Sequence, residues 1–233
     1  MKTSKNTILI TGGITGTGLE LARLLSALGN TVVITGRNKF ELERIASKNK
    51  NIHTIFCDLT CDKEIAKMIS KIHKNFPELN VLINNSGQCY FESEEFIATQ
   101  CHNTLVSQYL AGIRVTEELL PLFEQQQKAT IIDASLLTIG FLQNSKLFSA
   151  IQAITGSYDK VLRHKLRNSK IQVPNLQTYL SFDQNSNPIM VALRLIEAIY
   201  NKNANLKSTS ADQYNFVNTV GFSQNFLNNQ ITN

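Results

Sequence analysis

Short apolar runs alternate with stretches of helical periodicity along most of the chain. The runs are four to six residues long, and the stretches between them repeat apolar residues every three or four positions. This alternation is typical of a parallel sheet covered by helices. We therefore predict an α/β fold, a doubly wound parallel β-sheet in three αβα layers. The predicted strands are Thr7–Thr11, Thr31–Thr35, Ile52–Cys57, Val81–Asn84, Thr130–Ala134 and Ile171–Leu176.

Helical periodicity occupies the intervals between these strands and the segment after the last one. A chain of 233 residues suits one domain of this type, so we predict a single domain over residues 1–233. The part from about residue 202 to 233 is rich in Asn, Ser and Thr, and we predict that it forms a loosely packed C-terminal cap. The predicted helices are Gly18–Leu28, Lys39–Lys48, Asp62–Asn75, Thr104–Gln126, Phe148–Asn168 and Asn187–Asn201.

The first predicted strand runs into a glycine-rich segment, Thr11-Gly12-Gly13-Ile14-Thr15-Gly16-Thr17-Gly18, directly before the first helix. Glycine permits a sharp turn and a close approach of the backbone to a phosphate, and the free amides at a helix N-terminus bind negative charge. This arrangement predicts a dinucleotide-binding turn of a Rossmann fold. The spacing Gly12-x-x-x-Gly16-x-Gly18 differs from the general Gly-x-Gly-x-x-Gly pattern. An ordinary strand-to-helix turn is the alternative.

Charge and cysteine content narrow the possible partners. The 23 basic and 18 acidic residues give a net charge of +5, and they are scattered along the chain. Scattered charge indicates a solvated surface and no nucleic-acid partner, although it favours a polyanionic ligand such as a phosphorylated dinucleotide. No apolar run approaches the length of a membrane span. Cys57, Cys61, Cys89 and Cys101 form no C-x-x-C pair. We expect reduced thiols, no metal site and a cytoplasmic location.

Three motifs in order along the chain resemble those of the short-chain dehydrogenase/reductase family. The glycine segment resembles the family's Thr-Gly-x-x-x-Gly-x-Gly turn. Cys57-Asp58-Leu59 resembles its acidic adenine-contacting position after strand three, and Asn84-Asn85-Ser86-Gly87 stands where the family has Asn-Asn-Ala-Gly. All three follow predicted strands, whose carboxyl ends form the ligand crevice of such sheets. The resemblance implies these cofactor-binding residues: Gly12, Thr15, Gly16, Thr17, Gly18, Asp58, Leu59, Asn85, Ser86 and Gly87.

Two of these positions have an alternative structural role. Asp58 either accepts a hydrogen bond from the adenine amino group or caps the helix over Asp62–Asn75. Asn85 either holds the turn or contacts the cofactor ribose.

Strand two ends in Thr35-Gly36-Arg37, without the carboxylate that binds the ribose 2′-hydroxyl of NAD(H). A planar guanidinium suits a 2′-phosphate. We therefore add Arg37 to the cofactor-binding residues and expect NADP(H) in preference to NAD(H).

The catalytic part of the resemblance is degenerate. Ser135 matches the family's serine, and thirteen residues later Phe148 stands at the position of its tyrosine. Gln152 replaces the lysine four residues beyond, and Gln108 stands near the family's asparagine. A phenyl ring has no exchangeable proton, and a neutral amide cannot lower the pKa of a tyrosine. Standard carbonyl reduction through this pair is therefore not expected.

No substitute for the missing pair is evident. No Tyr-x-x-x-Lys occurs in the chain, because Tyr158 is followed four residues later by Leu162. Tyr109 and Tyr179 are alternatives, each more simply explained as a packed or surface aromatic. Leu176–Ser181 also lacks the Pro-Gly-type turn that in the family brackets the nicotinamide.

Three functions stay open. The chain is a catalytically degenerate NADP(H)-binding protein that acts as a sensor or regulatory partner, an NADP-dependent oxidoreductase with an unconventional proton source, or an interaction subunit without cofactor. A small-molecule substrate belongs to the second hypothesis. Family members commonly assemble through their fifth and sixth helices, so the resemblance implies a homo- or hetero-oligomer through Leu105–Phe123 and Phe148–Leu166. The alternative is that the apolar residues of both segments only cover the sheet.

Overall fold

A computed structural model describes residues 3–86, 109–134, 146–174 and 187–200, with the side chains of residues 146–152 left out of the description. In these ranges a parallel sheet of six strands has the order β3-β2-β1-β4-β5-β6. The direction of winding reverses at β1, which pairs with β2 on one side and with β4 on the other. The predicted doubly wound fold is confirmed. The strands are β1 Thr7–Thr11, β2 Thr31–Gly36, β3 Ile52–Phe56, β4 Leu79–Asn84, β5 Ala129–Asp133 and β6 Ile171–Gln172.

Side chains alternate between the two faces of the sheet, and each face is covered by helices. Ile8 and Ile10 belong to one core cluster, which α1, α2 and α6 complete. Leu9 belongs to the other, together with residues of α3, α4 and α5. The three layers follow from this alternation, because apolar residues on both faces of a strand require cover on both sides. The helices are α1 Gly16–Ala27, α2 Lys39–Lys48, α3 Asp62–Asn75, α4 Ala111–Glu124, α5 Lys146–Leu166 and α6 Pro188–Tyr200.

The bounds differ from the predicted ones mainly at strand ends. β4 begins two residues early because Leu79 is fully buried and pairs with Thr7, where the register shifts. β6 has only two residues in the structure, whereas the apolar pattern predicts six, of which the last two lie outside the described residues. α1 begins at Gly16, because Thr15 is still extended with φ −145°. Residues 104–108 of the fourth predicted helix and the cap over 202–233 are outside the description.

Within the described ranges, no helix combines the length and the hydropathy required to cross a bilayer.

Candidate cofactor site

The glycine turn is formed at the carboxyl end of β1, beside the ends of β2 and β4. Gly12 and Gly16 have positive φ angles of 68° and 54°, which residues with a Cβ rarely adopt. The Gly12 amide donates to the Thr35 hydroxyl at 3.2 Å, and the Gly13 amide donates to the Thr35 carbonyl at 3.0 Å. The last residues of β2 therefore hold the first half of the turn.

Asn85 holds the same turn from the end of β4. Its Nδ2 donates to the carbonyls of Thr11 at 3.3 Å and Gly12 at 3.2 Å. The Thr11 hydroxyl accepts from the amides of Asn85 at 3.0 Å and Ser86 at 3.2 Å. A Cβ at Gly18 would lie 2.4 Å from Asn85 Nδ2 and 2.8 Å from the Gly12 oxygen. Glycine at position 18 thus allows helix α1 to approach these two groups.

One acceptor of this network has no partner within the described residues. Asn85 is 4% exposed, and its Oδ1 atom is buried without a hydrogen bond. A buried polar atom without a partner costs free energy, so such atoms are commonly found where a ligand or water completes the site. Of the two roles that the sequence leaves open for Asn85, the structure shows that it holds the turn.

The N-terminus of α1 presents backbone amides beside this network. Thr15 is the N-cap residue and makes no side-chain cap, and the Leu19 amide donates to the Thr15 carbonyl at 3.4 Å. The amides of Gly16, Thr17 and Gly18 precede that bond and belong to the free amides of a helix N-terminus. Gly16 is exposed, with no heavy atom within 4 Å of the position of a Cβ. A phosphate is the kind of ligand that such a cradle binds.

Arg37 follows β2 at the edge of the same crevice. Gly36 is buried, and a Cβ there would lie 2.5 Å from Ile14 Cγ2, so the end of β2 packs against the glycine turn. Arg37 itself is exposed and makes no ion pair or hydrogen bond to any part of the chain that the structure describes. The next residue, Asn38, caps α2 by accepting from the Glu41 amide at 3.2 Å. The guanidinium is therefore available to a ligand.

Asp58 lies in the turn after β3, where it does not cap a helix. Its Oδ1 accepts from the amide of Thr60 at 2.9 Å and from the Thr60 hydroxyl at 2.8 Å. The N-cap residue of α3 is Cys61, and the Glu64 carboxylate accepts from the Asp58 amide at 2.5 Å. The capping alternative for Asp58 is thus wrong.

The residues on either side of Asp58 are buried. Leu59 is 8% exposed and packs in the core, so it offers a ligand only its backbone. Burial, with the charges of Glu64 and Asp58, raises the pKa of the Cys57 thiol to about 12.

Several residues that the sequence predicts for the site lie outside the described residues or have no described side chain. Gly87, Gln108 and Ser135 lie outside the described residues, and so does Tyr179. Phe148 and Gln152 fall within α5, but their side chains are outside the description.

Two of the tyrosines that the sequence analysis considers, Tyr109 and Tyr158, lie within the described residues. Tyr109 is 2% exposed. The Tyr158 hydroxyl donates to Glu117 Oε1 on α4 at 2.9 Å, and burial raises the pKa of this tyrosine. Tyr158 therefore links two helices and is poorly suited to give up a proton.

The sequence analysis did not include two hydroxyls of this site. They belong to Thr11 and Thr35, which brace the turn from the last position of β1 and the last position but one of β2. Two features of the sequence could have identified them: a hydroxyl residue stands just before the glycines, and another stands near the end of the next strand.

A family model for short chain dehydrogenases matches residues 6–181. The chain belongs to the short-chain dehydrogenase/reductase family. Among curated proteins, the chain is 33% identical over 179 residues to the uncharacterized oxidoreductase DltE of Bacillus subtilis, with 74% of this chain and 70% of that protein covered. It is 29% identical over 185 residues to a fatty acyl-CoA reductase of Acinetobacter baylyi, with 73% of this chain and 62% of that protein covered.

Solved structures share the short-chain dehydrogenase/reductase fold with this chain. A metagenomic member in complex with NADP superposes with a TM-score of 0.70 at 18% identity, covering 84% of this chain and 91% of that one. The 3-ketoacyl-(acyl-carrier-protein) reductase of Brucella melitensis, complexed with NADH, superposes with a TM-score of 0.65 at 21% identity and covers 74% of this chain and 77% of that one. At these identities the likeness concerns the fold.

Proposed function

We propose that this short-chain dehydrogenase/reductase binds NADP(H), lacks the family's standard carbonyl-reductase chemistry and acts as a sensor or regulatory partner. The observation that carries the proposal is the contrast between the two parts of the site. The glycine turn is closed by Thr11, Thr35 and Asn85, with open space over Gly16. The positions of the family's tyrosine and lysine hold Phe148 and Gln152.

The residues present fit a dinucleotide. In the proposed complex the free amides of Gly16, Thr17 and Gly18 bind the pyrophosphate, which carries the negative charge that a helix N-terminus favours. After β3, the Asp58 carboxylate and the backbone of Leu59 contact the adenine in this complex. Asn85 Oδ1 accepts a hydrogen bond from a ribose hydroxyl. Thr15, Ser86 and Gly87 complete the proposed set. When bound, NADPH supplies a hydride, and this chain's contribution is to orient it.

The preference for NADP(H) rests on Arg37. Its exposed guanidinium stands where an NAD-preferring site has a carboxylate, and it has no partner in the described parts of the chain. The structural neighbours do not decide the preference, since one was solved with NADPH and another with NADH.

Thermal unfolding with and without cofactor tests the proposal. A cofactor at about 100 times its Kd adds roughly 2.7 kcal/mol to the free energy of unfolding. For a chain of this size that raises Tm by on the order of 5 to 10 °C. The chain has no Trp, so a dye or calorimetry is the readout. We expect a larger shift with NADPH than with NADH. No shift at millimolar cofactor would reject cofactor binding and favour the interaction subunit.

Arg37→Ala separates the 2′-phosphate from the rest of the cofactor. The variant should lose much of the shift with NADPH and keep the shift with NADH. Lys48→Ala, which removes an equal charge at the far end of α2, is the control and should leave both shifts unchanged. Equal losses with the two cofactors in Arg37→Ala would overturn the assignment of Arg37.

An NADP-dependent oxidoreductase with an unconventional proton source is the second candidate. It is favoured by Ser135, which is the one of the family's four catalytic positions that keeps the family's residue. It is also favoured by two relatives, one named as an oxidoreductase and the other as a fatty acyl-CoA reductase. Hydride transfer depends chiefly on placing the donor against the acceptor, so an activated alkene or quinone needs little acid catalysis. NADPH consumption in a survey of enones, quinones and electron-poor carbonyls would distinguish this enzyme from a sensor.

We also propose a cytoplasmic location and one domain over residues 1–233. The location is supported by Cys57 and Cys61, which are free thiols. The single domain is supported by the one sheet that the described strands form.

A further inference from the structure

A small cleft lies between the ends of β4 and β5 and the helices α4 and α5. Asn84 and Asp133, the last residues of the two strands, are register partners and both line this cleft. Asp159 lines it from α5 and is 7% exposed. Two acidic side chains therefore share a confined space at the carboxyl end of the sheet.

The cleft has an acceptor without a donor. Asn84 is 6% exposed, and its Nδ2 donates to the Thr116 hydroxyl at 3.0 Å and to the Gly112 carbonyl at 3.3 Å. Its Oδ1 is buried with no hydrogen-bond partner in the described residues. A buried acceptor of this kind is stabilised by any proton donor brought into the cleft.

The balance of charge around Asp159 is also incomplete. Its partner is Arg163 on the next turn of α5, whose Nη1 lies 3.7 Å from the Asp159 carboxylate. Among the described residues, the titratable groups nearest to it are Asp133 on β5, Tyr158 on α5 and Glu117 on α4. Tyr158 donates a hydrogen bond to Glu117, and Lys165 of α5 lies 3.8 Å from the same carboxylate. The Arg163 guanidinium and the Asp133 carboxylate therefore act on Asp159 in opposite directions, and the burial of Asp159 weakens the screening of these charges by water.

The physical consequence is that ionising both acids is unfavourable. Burial, and after it the charge of Asp133, raises the pKa of Asp159 to about 7, and Arg163 acts in the opposite direction. Two carboxyl groups that share a site commonly keep one proton between them. A protonated carboxyl would also be the donor that Asn84 Oδ1 lacks.

We propose that Asp133 and Asp159 hold one proton between them in the folded protein, and that this proton makes the packing of α5 on the end of β5 sensitive to pH near neutrality. The pair is close to the glycine turn along the backbone. Asn84 directly precedes Asn85, and the Ala134 amide donates to the Asn84 carbonyl at 2.8 Å. The proposal does not depend on the proposed function.

The sign of the pH dependence follows from the two states of the chain. In the unfolded chain an Asp releases its proton at about pH 4, whereas Asp159 in the folded protein releases it near 7. Folding therefore takes up a proton between these two values. The stabilisation is fully present at the acid end, is lost as the pH rises through this window, and changes no further above it.

The test is the Tm of the full chain from about pH 5 to about pH 8.5 for the wild type and for Asp159→Asn. Asparagine keeps the shape of the protonated acid and cannot ionise. We expect Asp159→Asn to have the higher Tm at the alkaline end, by at least about 4 °C, with the gap closing towards the acid end. Asp133→Asn should shift the fall in Tm to lower pH, because it removes the repelling charge. Parallel curves for wild type and Asp159→Asn would overturn the proposal.

Glu43→Gln is the control, since Glu43 is exposed on α2, in the helical layer on the other face of the sheet. Its Tm curve should be offset by a constant amount. If a cleft variant fails to fold, carbon-detected NMR of the wild-type side-chain carboxyls measures the same proton directly. We expect one aspartate signal to titrate near pH 7. Titration of every aspartate below about pH 5 would contradict the proposal.

Discussion

Gly16 and Gly18 are two residues apart in the same turn, but they meet different surroundings. A Cβ at Gly18 would collide with Asn85 Nδ2 and the Gly12 carbonyl, whereas a Cβ at Gly16 meets nothing within 4 Å. Gly16 instead has a positive φ of 54°. Packing therefore requires glycine at position 18. At position 16 the requirement comes from the backbone conformation and from the space that a ligand needs.

Alanine at each position should therefore have a different principal effect. We expect Gly18→Ala to cost roughly 1–3 kcal/mol through overpacking, which lowers Tm by several degrees. Gly16→Ala should cost about 1 kcal/mol because of the positive φ. Its Cβ also takes up space that the ligand needs, so the rise in Tm caused by NADPH should be smaller in this variant than in the wild type. Calorimetry of both variants with and without NADPH measures the two effects. A Gly18→Ala variant as stable as the wild type would show that the turn relaxes easily.

At this scale the sequence predicts the residues of the turn but not how they are braced. The spacing of Gly12, Gly16 and Gly18 is a local pattern and can be recognised along the chain. The bond from the Asn85 amide to the Thr11 hydroxyl joins residues 74 positions apart. It exists only because β4 lies beside β1, and strand order is not contained in local periodicity.

At the scale of the elements, α5 carries both positions at which we predict the family's catalytic tyrosine and lysine to be replaced. Phe148 and Gln152 are four residues apart within Lys146–Leu166. If the change is confined to this pair, Phe148→Tyr combined with Gln152→Lys should produce measurable NADPH-dependent carbonyl reduction. The tyrosine restores an exchangeable proton, and the lysine cation lowers the pKa of that tyrosine.

The two single variants are the controls for this restoration. Phe148→Tyr alone has the proton donor without the cation, and Gln152→Lys alone has the cation without the donor, so both should stay well below the double variant. An inactive double variant that still binds NADPH would argue that the nicotinamide end of the crevice has also been lost.

The observed element boundaries agree with the predicted ones where a local sequence pattern marks them. They differ where pairing between strands sets the end of an element. The bounds of α2 and α3 are as predicted, because apolar periodicity and polar flanks mark both ends. β6 is shorter than its apolar run, since it pairs on one side with the first two residues of β5. The Asp133–Asp159 pair was not foreseen either, because a strand end and a helix interior meet there only after the layers pack.

At the scale of the whole molecule, the apolar residues of α4 and α5 serve two surfaces. Among the described residues, five of those that the sequence marks as a possible interface are buried in the core and cover the sheet: Leu119, Leu120, Phe123, Leu162 and Leu166. Ile154 and Val161 on α5 are 43% and 66% exposed, and Leu110, just before α4, is 56% exposed. Covering the sheet therefore accounts for the first group and leaves the second without a role.

We propose that this second group forms the contact in an oligomer through α4 and α5. Val161→Glu places a charge in the proposed contact without touching the core, so it should convert the oligomer to monomer, because an unpaired charge is costly to bury. Light scattering coupled to size-exclusion chromatography measures the mass. Phe40→Glu is the control, because Phe40 is 72% exposed on α2, in the opposite helical layer, and its substitution should leave the mass unchanged. A monomeric wild type, or an oligomer that persists in Val161→Glu, would reject this interface and leave the exposed apolar residues of α5 to some other partner.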